Sequence, residues 1–397
     1  MWNLLGSILW WKFQILGQWR EKILLWQALR LIHFNTPENQ ITRIMAQNFH
    51  HNSQLPLDIS TAISRTAKPS SEFYSIFSVE EVLGIIHALE VRREIPLKYS
   101  YKGRGAKIWD DFYLKYIIPR WYRISNVEIE LLKNNFNYLN DNIPSGKKIN
   151  IVDVGAGNSY PVKDFIQKFD NLDKLNKYIA LDISEELLNL SKNNFHKWFP
   201  LVEFISYKID IENSCIPQSL FQNKANLEID DTAKIFLHLG VTIGNHPNRD
   251  EVFKNFRNSM EKNDFLVFTN EIGSNSKWDG KVRGGCKYHV EEVYGWVKNK
   301  IGIKSEDCEL VRKYDLKTDS IVANLKLRHD YTINFSRMGI DKKIEISGGE
   351  EITIWRHHKY EIPKLLQEIE RSGLQLLHYS TDKYKSHIMV ICKVASN

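Results

Sequence analysis

Asn150-Ile-Val-Asp-Val-Gly-Ala-Gly-Asn-Ser159 joins an apolar run to a Gly-x-Gly turn, and a helix-compatible stretch from Val162 to Phe169 follows. A parallel strand enters a helix this way at the carboxyl edge of an α/β sheet. Gly155 and Gly157 let the backbone approach a ligand more closely than a Cβ permits. Tyr160 stands where a dinucleotide fingerprint needs its third glycine, which argues against NAD or FAD. Working outward, a second strand, Tyr178-Ile-Ala-Leu-Asp182, ends in an acid able to accept both hydroxyls of a ribose. A third, Val202-Glu-Phe-Ile-Ser-Tyr-Lys-Ile-Asp210, also closes on an acid. The ordered set Asp153, Gly155, Gly157, Asp182 and Asp210 is far more specific than one glycine pair.

The chain has 397 residues, of which 43% are hydrophobic, enough for two or three domains with a sizeable core. Its charge of +6 is dispersed among acids, with no Lys/Arg block, so nucleic acid is not an expected partner. Cys215, Cys286, Cys308 and Cys392 lack zinc-type spacing, so no metal site is expected. They read as free thiols of a reducing, cytoplasmic compartment.

Residues 1–34 carry Trp2, Trp10, Trp11, Trp19 and Trp26 among Leu and Ile, with a narrow polar stripe through Asn3, Ser7, Gln14, Gln18 and Glu21. Charged residues interrupt every run before the ~18 apolar residues of a spanning helix, and no signal-peptide pattern is present. Two readings stand: helices packed on the rest of the protein or a second subunit, or a helix lying on a membrane surface or clasping a partner. The second would make the protein peripheral to a membrane.

Further along, Ser78 and Glu81 form a capping-box pattern for a helix over 79–90. Ile95 to Trp109 reads as an aromatic, glycine-bearing loop before a helix at 109–116. Tyr99 and Tyr101, two apart, project to the same side if that loop is extended. A helix is expected to start around Tyr122 and Ser125 to Glu128. Residues 222–232 read as a surface loop. Ala233–Leu239 is a fourth strand, leading into Gly240-Val-Thr-Ile-Gly-Asn-His-Pro247 at the ligand-bearing edge of the sheet. A helix at 249–261, a fifth strand Phe265–Glu271, a helix over 362–372 stopped by Gly373, and an antiparallel pair, 374–379 with 387–393, complete the pattern. Expected segments are a Trp-rich helical extension (1–70), the first part of a substrate lobe (71–148), the core (149–273), a lobe insertion (274–348) and a return to the core sheet (349–397).

Taken in order, Ile95-Pro-Leu-Lys-Tyr-Ser-Tyr with Gly105 and Trp109, the Asp153-Val-Gly-Ala-Gly turn, Leu181-Asp-Ile-Ser-Glu185, Gly240-Val-Thr-Ile-Gly-Asn245, and Gly349-Glu-Glu-Ile followed by Lys359-Tyr360 resemble a known family. It is that of the S-adenosylmethionine-dependent histidine Nα-methyltransferases of ergothioneine biosynthesis and their relatives. The resemblance covers roughly residues 72–395. It implies an α/β, class I methyltransferase (Rossmann-like) core with a second, α+β substrate lobe. By motif position, Asp182 would bind the ribose of S-adenosylmethionine and Asp210 would lie near its adenine. Gly155 and Gly157 would line the methionine end, with Lys163 a partner for its carboxylate, and Asp153 would belong to the same cofactor site. Tyr101 (or Tyr99) and Asn245 would hold the acceptor and serve as the catalytic positioning pair.

The family's histidine enzymes carry a Glu and a Ser against the imidazole, where this chain has Trp355 and His357; Trp278 is the nearest match to a further aromatic contact. An indole cannot reward a polar ligand as a carboxylate does. The expected activity is therefore N-methylation of another small amine, an amino acid or a derivative of one. His357, His358 and Glu271 are candidates for a proton acceptor. Alternatives are a peptide, lipid or carrier-bound acceptor recruited through the N-terminal extension, and a relative that binds ligand without catalysis.

Overall fold

The structure, a computed structural model, describes residues 64–117, 123–222, 232–280 and 293–395. The Trp-rich segment 1–34, Tyr122, Cys286 and residues 223–231 lie outside these. In chain order the described strands are β1 (Arg65–Ala67), β2 (Lys148–Val154), β3 (Leu175–Asp182), β4 (Glu203–Lys208), β5 (Thr232–His238), β6 (Phe265–Glu271), β7 (Cys308–Asp315), β8 (Ser320–Leu327), β9 (Tyr331–Phe335), β10 (Lys342–Ile346), β11 (Glu351–His357), β12 (Leu374–Thr381) and β13 (His387–Val394).

Seven of them form one sheet in the order β12-β13-β6-β5-β2-β3-β4. β4, β3, β2, β5 and β6 are mutually parallel, and β13 runs antiparallel to both neighbours. Strand period decides the layers. Ile149 and Ile151 face one core with Phe136, Phe165 and Phe169, while Val152 and Val154 face the other with Phe236, Phe253 and Leu365. Both faces of β2 and β5 are buried, which is why they read as nearly unbroken apolar runs. The order reverses between β2, the first strand of the sheet, and β5, so the carboxyl ends of these two flank the crevice where such sheets bind ligands. This is the Rossmann-like core that the motifs imply.

The second lobe holds two three-stranded sheets, β1-β9-β10 and β11-β8-β7. The helices Ser71–Ile76, Val79–Arg92 and Trp296–Ile301 pack on them through Phe73, Phe77, Ile85, Leu89 and Trp296. The capping box at Ser78 is formed from both sides, the hydroxyl taking the Glu81 N–H and the Glu81 carboxylate taking the Ser78 N–H.

Several details differ from the sequence reading. β11 pairs with β8, so residues 351–357 belong to the lobe, and the return to the core sheet follows Tyr360. β1 pairs with β9, so residues 65–67 are also part of the lobe. The loop before Trp109 is a 3₁₀ turn, Leu97–Tyr101, and the helix starts at Arg104 and ends at Phe112. In a 3₁₀ turn, residues two apart no longer share a side. Tyr99 is buried against Phe77, whereas Tyr101 packs edge-on to Trp109 and Tyr294.

Candidate active site

A cavity of about 560 Å³ opens at the carboxyl edge of the parallel strands and is closed over by the second lobe. Its size falls within the ~300–1,000 Å³ typical of small-molecule sites. It collects Asp153 to Gly157 from the end of β2 and its turn, Asp182 at the end of β3, Asp210 after β4, Asn245 after β5, Glu271 at the end of β6, and Tyr99, Tyr101, Trp355 and His357 from the lobe. These include Asp153, Gly155, Gly157, Asp182, Asp210, Tyr99, Tyr101, Asn245, Trp355 and His357 of the sequence reading, brought together from six separate segments.

The glycine turn is built tightly. Gly155 and Ala156 donate to the Leu181 carbonyl, at 2.8 and 3.1 Å, tying the turn to the end of β3. Gly157 has φ 54°, and a Cβ there would stand 2.8 Å from the Trp109 ring, so the lobe's helix lies directly on the turn. Gly155, in contrast, faces open space: a Cβ would meet no protein atom within 4 Å. That is a cradle shaped for something other than protein.

The carboxylate of Asp182 accepts one N–H on each oxygen, from Gly157 (3.1 Å) and Ser184 (3.0 Å). An ionised carboxylate has about four acceptor positions, so lone pairs remain for vicinal hydroxyls. Burial pushes the Asp182 pKa up to about 6, against those two backbone bonds. Asp153 is likewise pushed up by burial, to about 7, although the Tyr178 hydroxyl donates to it at 2.6 Å.

At the β4 end, Lys98 reaches from the lobe to Asp210 (2.6 Å) and Glu212 (2.8 Å). Glu212 also meets His246 Nδ1 at 2.8 Å. Burial alone would raise Glu212, but His246 and Lys98 outweigh it and hold it at about 2. Burial drives His238 down to about 3, and its Nδ1 donates to the Val154 carbonyl. Its Nε2 lone pair then faces His246 Nε2 at 3.2 Å.

On the acceptor side, Asn245 closes the 3₁₀ turn Thr242–Asn245. His357 Nδ1 lies 3.1 Å from Asn245 Oδ1, and Trp355 stacks beside His357 at 6.0 Å between rings. Burial lowers His357 to about 4, keeping the ring neutral. Glu128, from the helix Arg123–Asn134, accepts the Val241 N–H (2.9 Å) and the Thr269 hydroxyl. It thereby anchors Val241, a β-branched residue at φ 52°, a backbone conformation costing about 1–3 kcal/mol.

Three expected residues lie elsewhere. Lys163 opens the helix Lys163–Asn171, and its ammonium stands 5.0 Å over the Trp198 ring, away from the cavity wall. Trp278 packs against the lobe's hydrophobic cluster and is not among the lining residues. His358 points opposite to His357, as strand alternation requires, and meets the Asp319 carbonyl at 2.6 Å. Conversely, no sequence motif marks Lys98, Glu128, Glu212 and His246 for a role in the site. Lys98 lies within a quoted motif and Glu212 two residues past Asp210, but their partners are over a hundred residues away or on another strand.

A family model described as histidine-specific, SAM-dependent methyltransferase matches residues 80–277. Ergothioneine biosynthesis protein 1 of Neurospora crassa is 26% identical over 241 residues, which are 58% of this chain and 25% of that protein. The chain thus spans about a quarter of the length of the curated relative it matches. Among solved structures, an S-adenosylmethionine-dependent methyltransferase from Clostridium acetobutylicum is 12% identical, covering 73% of this chain and 99% of its own, with a TM-score of 0.41. Magnesium protoporphyrin IX methyltransferase from Synechocystis, crystallised with S-adenosylhomocysteine, is 9% identical, covering 75% and 98%, with a TM-score of 0.41. The family model and the curated relative support a divergent relative of the S-adenosylmethionine-dependent, histidine-specific methyltransferases.

Proposed function

We propose that this chain transfers a methyl group from S-adenosylmethionine to the amine of an amino acid, or of a small molecule derived from one, other than histidine. The observation that carries the reading is one cavity in which the glycine turn and Asp182 face a second wall of Tyr101, Asn245, Trp355 and His357. The residues fit the cofactor: Gly155 leaves a cradle, Asp182 keeps lone pairs for ribose hydroxyls, and Asp153 and Gly157 line the rest of the turn. Asp210, braced by Lys98, would stand at the adenine end.

When bound, the cofactor supplies an electrophilic methyl whose carbon–sulfur bond breaks as a nitrogen lone pair attacks, the electrons remaining on sulfur. The chain's part is to bind the amine, orient it and exclude water. Burial between the lobe and the sheet disfavours an ammonium and so lowers the amine's pKa. Positioning by Asn245 and Tyr101, with Tyr99 bracing the wall, supplies effective concentration. Trp355 presents an indole where a histidine acceptor needs a polar partner.

A screen of amino acids and amines, following S-adenosylhomocysteine release, tests this. Turnover of an amine acceptor with L-histidine at least about tenfold poorer is expected, the scale of one lost polar contact. Histidine as the best acceptor contradicts the reading of Trp355.

A further inference from the structure

The wall beside Asn245 contains an unsatisfied acceptor. His357 is 4% exposed and lines the cavity. An amide oxygen only accepts, so the ring hydrogen lies on Nδ1, donated to Asn245 Oδ1. Nε2 is left as a bare lone pair, and it has no hydrogen-bond partner. Glu271 Oε2, another acceptor, stands 3.9 Å from it, beyond hydrogen-bond reach. Lys359 holds Glu271 Oε2 at 2.7 Å; burial would raise this carboxyl, but His357 and Lys359 outweigh it and keep it below its ordinary range. His357 Nε2 therefore has no donor, while the Glu271 carboxylate, engaged by Lys359 at one position, keeps lone pairs for another. Natural proteins rarely leave such a group buried and unpaired, and a functional site is one of the recognised reasons.

We propose that His357 Nε2 and the Glu271 carboxylate form the seat for the acceptor's nitrogen, selecting molecules that present an ammonium over those that present a hydroxyl or an acid. This rests on the methyltransferase reading and adds to it the class of group recognised. An ammonium brings three N–H donors and a positive charge, so it can satisfy both acceptors. Once it gives one proton to water, the neutral amine keeps two N–H bonds, one for each member of the seat. Its lone pair is then directed away from both. A hydroxyl carries a single hydrogen and can satisfy only one of them; a carboxylate satisfies neither and repels Glu271.

The full-length protein, saturated with S-adenosylhomocysteine and carrying ¹⁵N-labelled histidine side chains, is titrated with ethylammonium chloride and, separately, with ethanol. The His357→Phe variant assigns the resonance. The expected result is a shift of the His357 Nε2 signal with ethylammonium and none with ethanol. Glu271→Gln is expected to weaken ethylammonium binding at least about tenfold, the loss of a charge-assisted partner. An unmoved Nε2 signal, an equal response to ethanol, or unchanged ethylammonium binding in Glu271→Gln overturns the proposal. S-adenosylhomocysteine binding, read beforehand by calorimetry on the unmodified protein, reports separately on the methyltransferase reading: its absence removes that reading, and its presence with a silent His357 removes only the seat. The comparison of ethylammonium with ethanol needs no variant to fold.

Discussion

Replacing Asp182 by alanine is expected to weaken S-adenosylmethionine binding by at least about 100-fold, or roughly 3 kcal/mol, since each hydrogen bond to a charged acceptor contributes about 1.5–3 kcal/mol. The side chain has two tasks at one point. It holds the Gly157 and Ser184 N–H groups, and so the shape of the glycine turn, and it turns its remaining lone pairs to the cavity. Thermal unfolding separates the two: a modest fall in Tm with a large loss of affinity is the expected combination. Unchanged affinity would show that the ribose is held elsewhere. The pH dependence follows with a definite sign. Burial raises Asp182 to about 6, so the ionised acceptor is present above that value and is lost as pH falls through it. Cofactor affinity should decline there, well before an ordinary carboxylate near pH 4 would protonate.

Gly244→Ala should strike the acceptor side instead. A Cβ on Gly244 would stand 2.5 Å from the His358 carbonyl oxygen, 2.6 Å from Asn270 Oδ1 and 2.8 Å from His357 Cε1. These neighbours cannot swing away cheaply. His358 donates to the Gly244 carbonyl at 2.7 Å, and the Gly244 N–H reaches Asn270 Oδ1 at 3.2 Å, so loop and strand are stitched together at the point of collision. Either the turn carrying Asn245 or the end of β11 carrying His357 must move. A displacement of about 1 Å in a positioning group costs on the order of 100-fold in rate, and that is the expected loss in kcat/KM for the best amine acceptor. S-adenosylmethionine affinity should change by less than about fivefold, since Asp182, Gly155 and Asp210 lie on other strands, and a fivefold change is only about 1 kcal/mol. Unimpaired turnover would show that the Asn245–His357 pair does not position the acceptor.

The cofactor half of the cavity was legible in the sequence because its signals are local. An apolar run, a glycine turn and an acid at the end of the next strand each occupy a few consecutive residues, and the open-sheet rule then places them at one edge. The Ser78 capping box was legible for the same reason. The acceptor half was less so. Its geometry depends on which strand β11 joins, and the run Glu351–His357 has the same apolar content whether it pairs with β8 or with the core sheet. Tyr99 and Tyr101 look as if they share one face in the sequence because a 3₁₀ turn leaves little trace in a segment of alternating aromatics. Lys98 with Asp210, Glu128 with Val241, and His357 with Asn245 are each joined across more than a hundred residues. No spacing rule reaches that far. The resemblance points to Lys163 by motif position alone, and the Trp198 ring beneath its ammonium is not visible in the chain order.

Isothermal titration of the unmodified protein with S-adenosylmethionine tests the central claim most directly. One saturable site is expected, with a Kd of roughly 1–100 µM, in the range enzymes commonly show for their substrates, and S-adenosylhomocysteine should displace the ligand from it. A flat titration, or binding that S-adenosylhomocysteine does not compete with, would contradict the account.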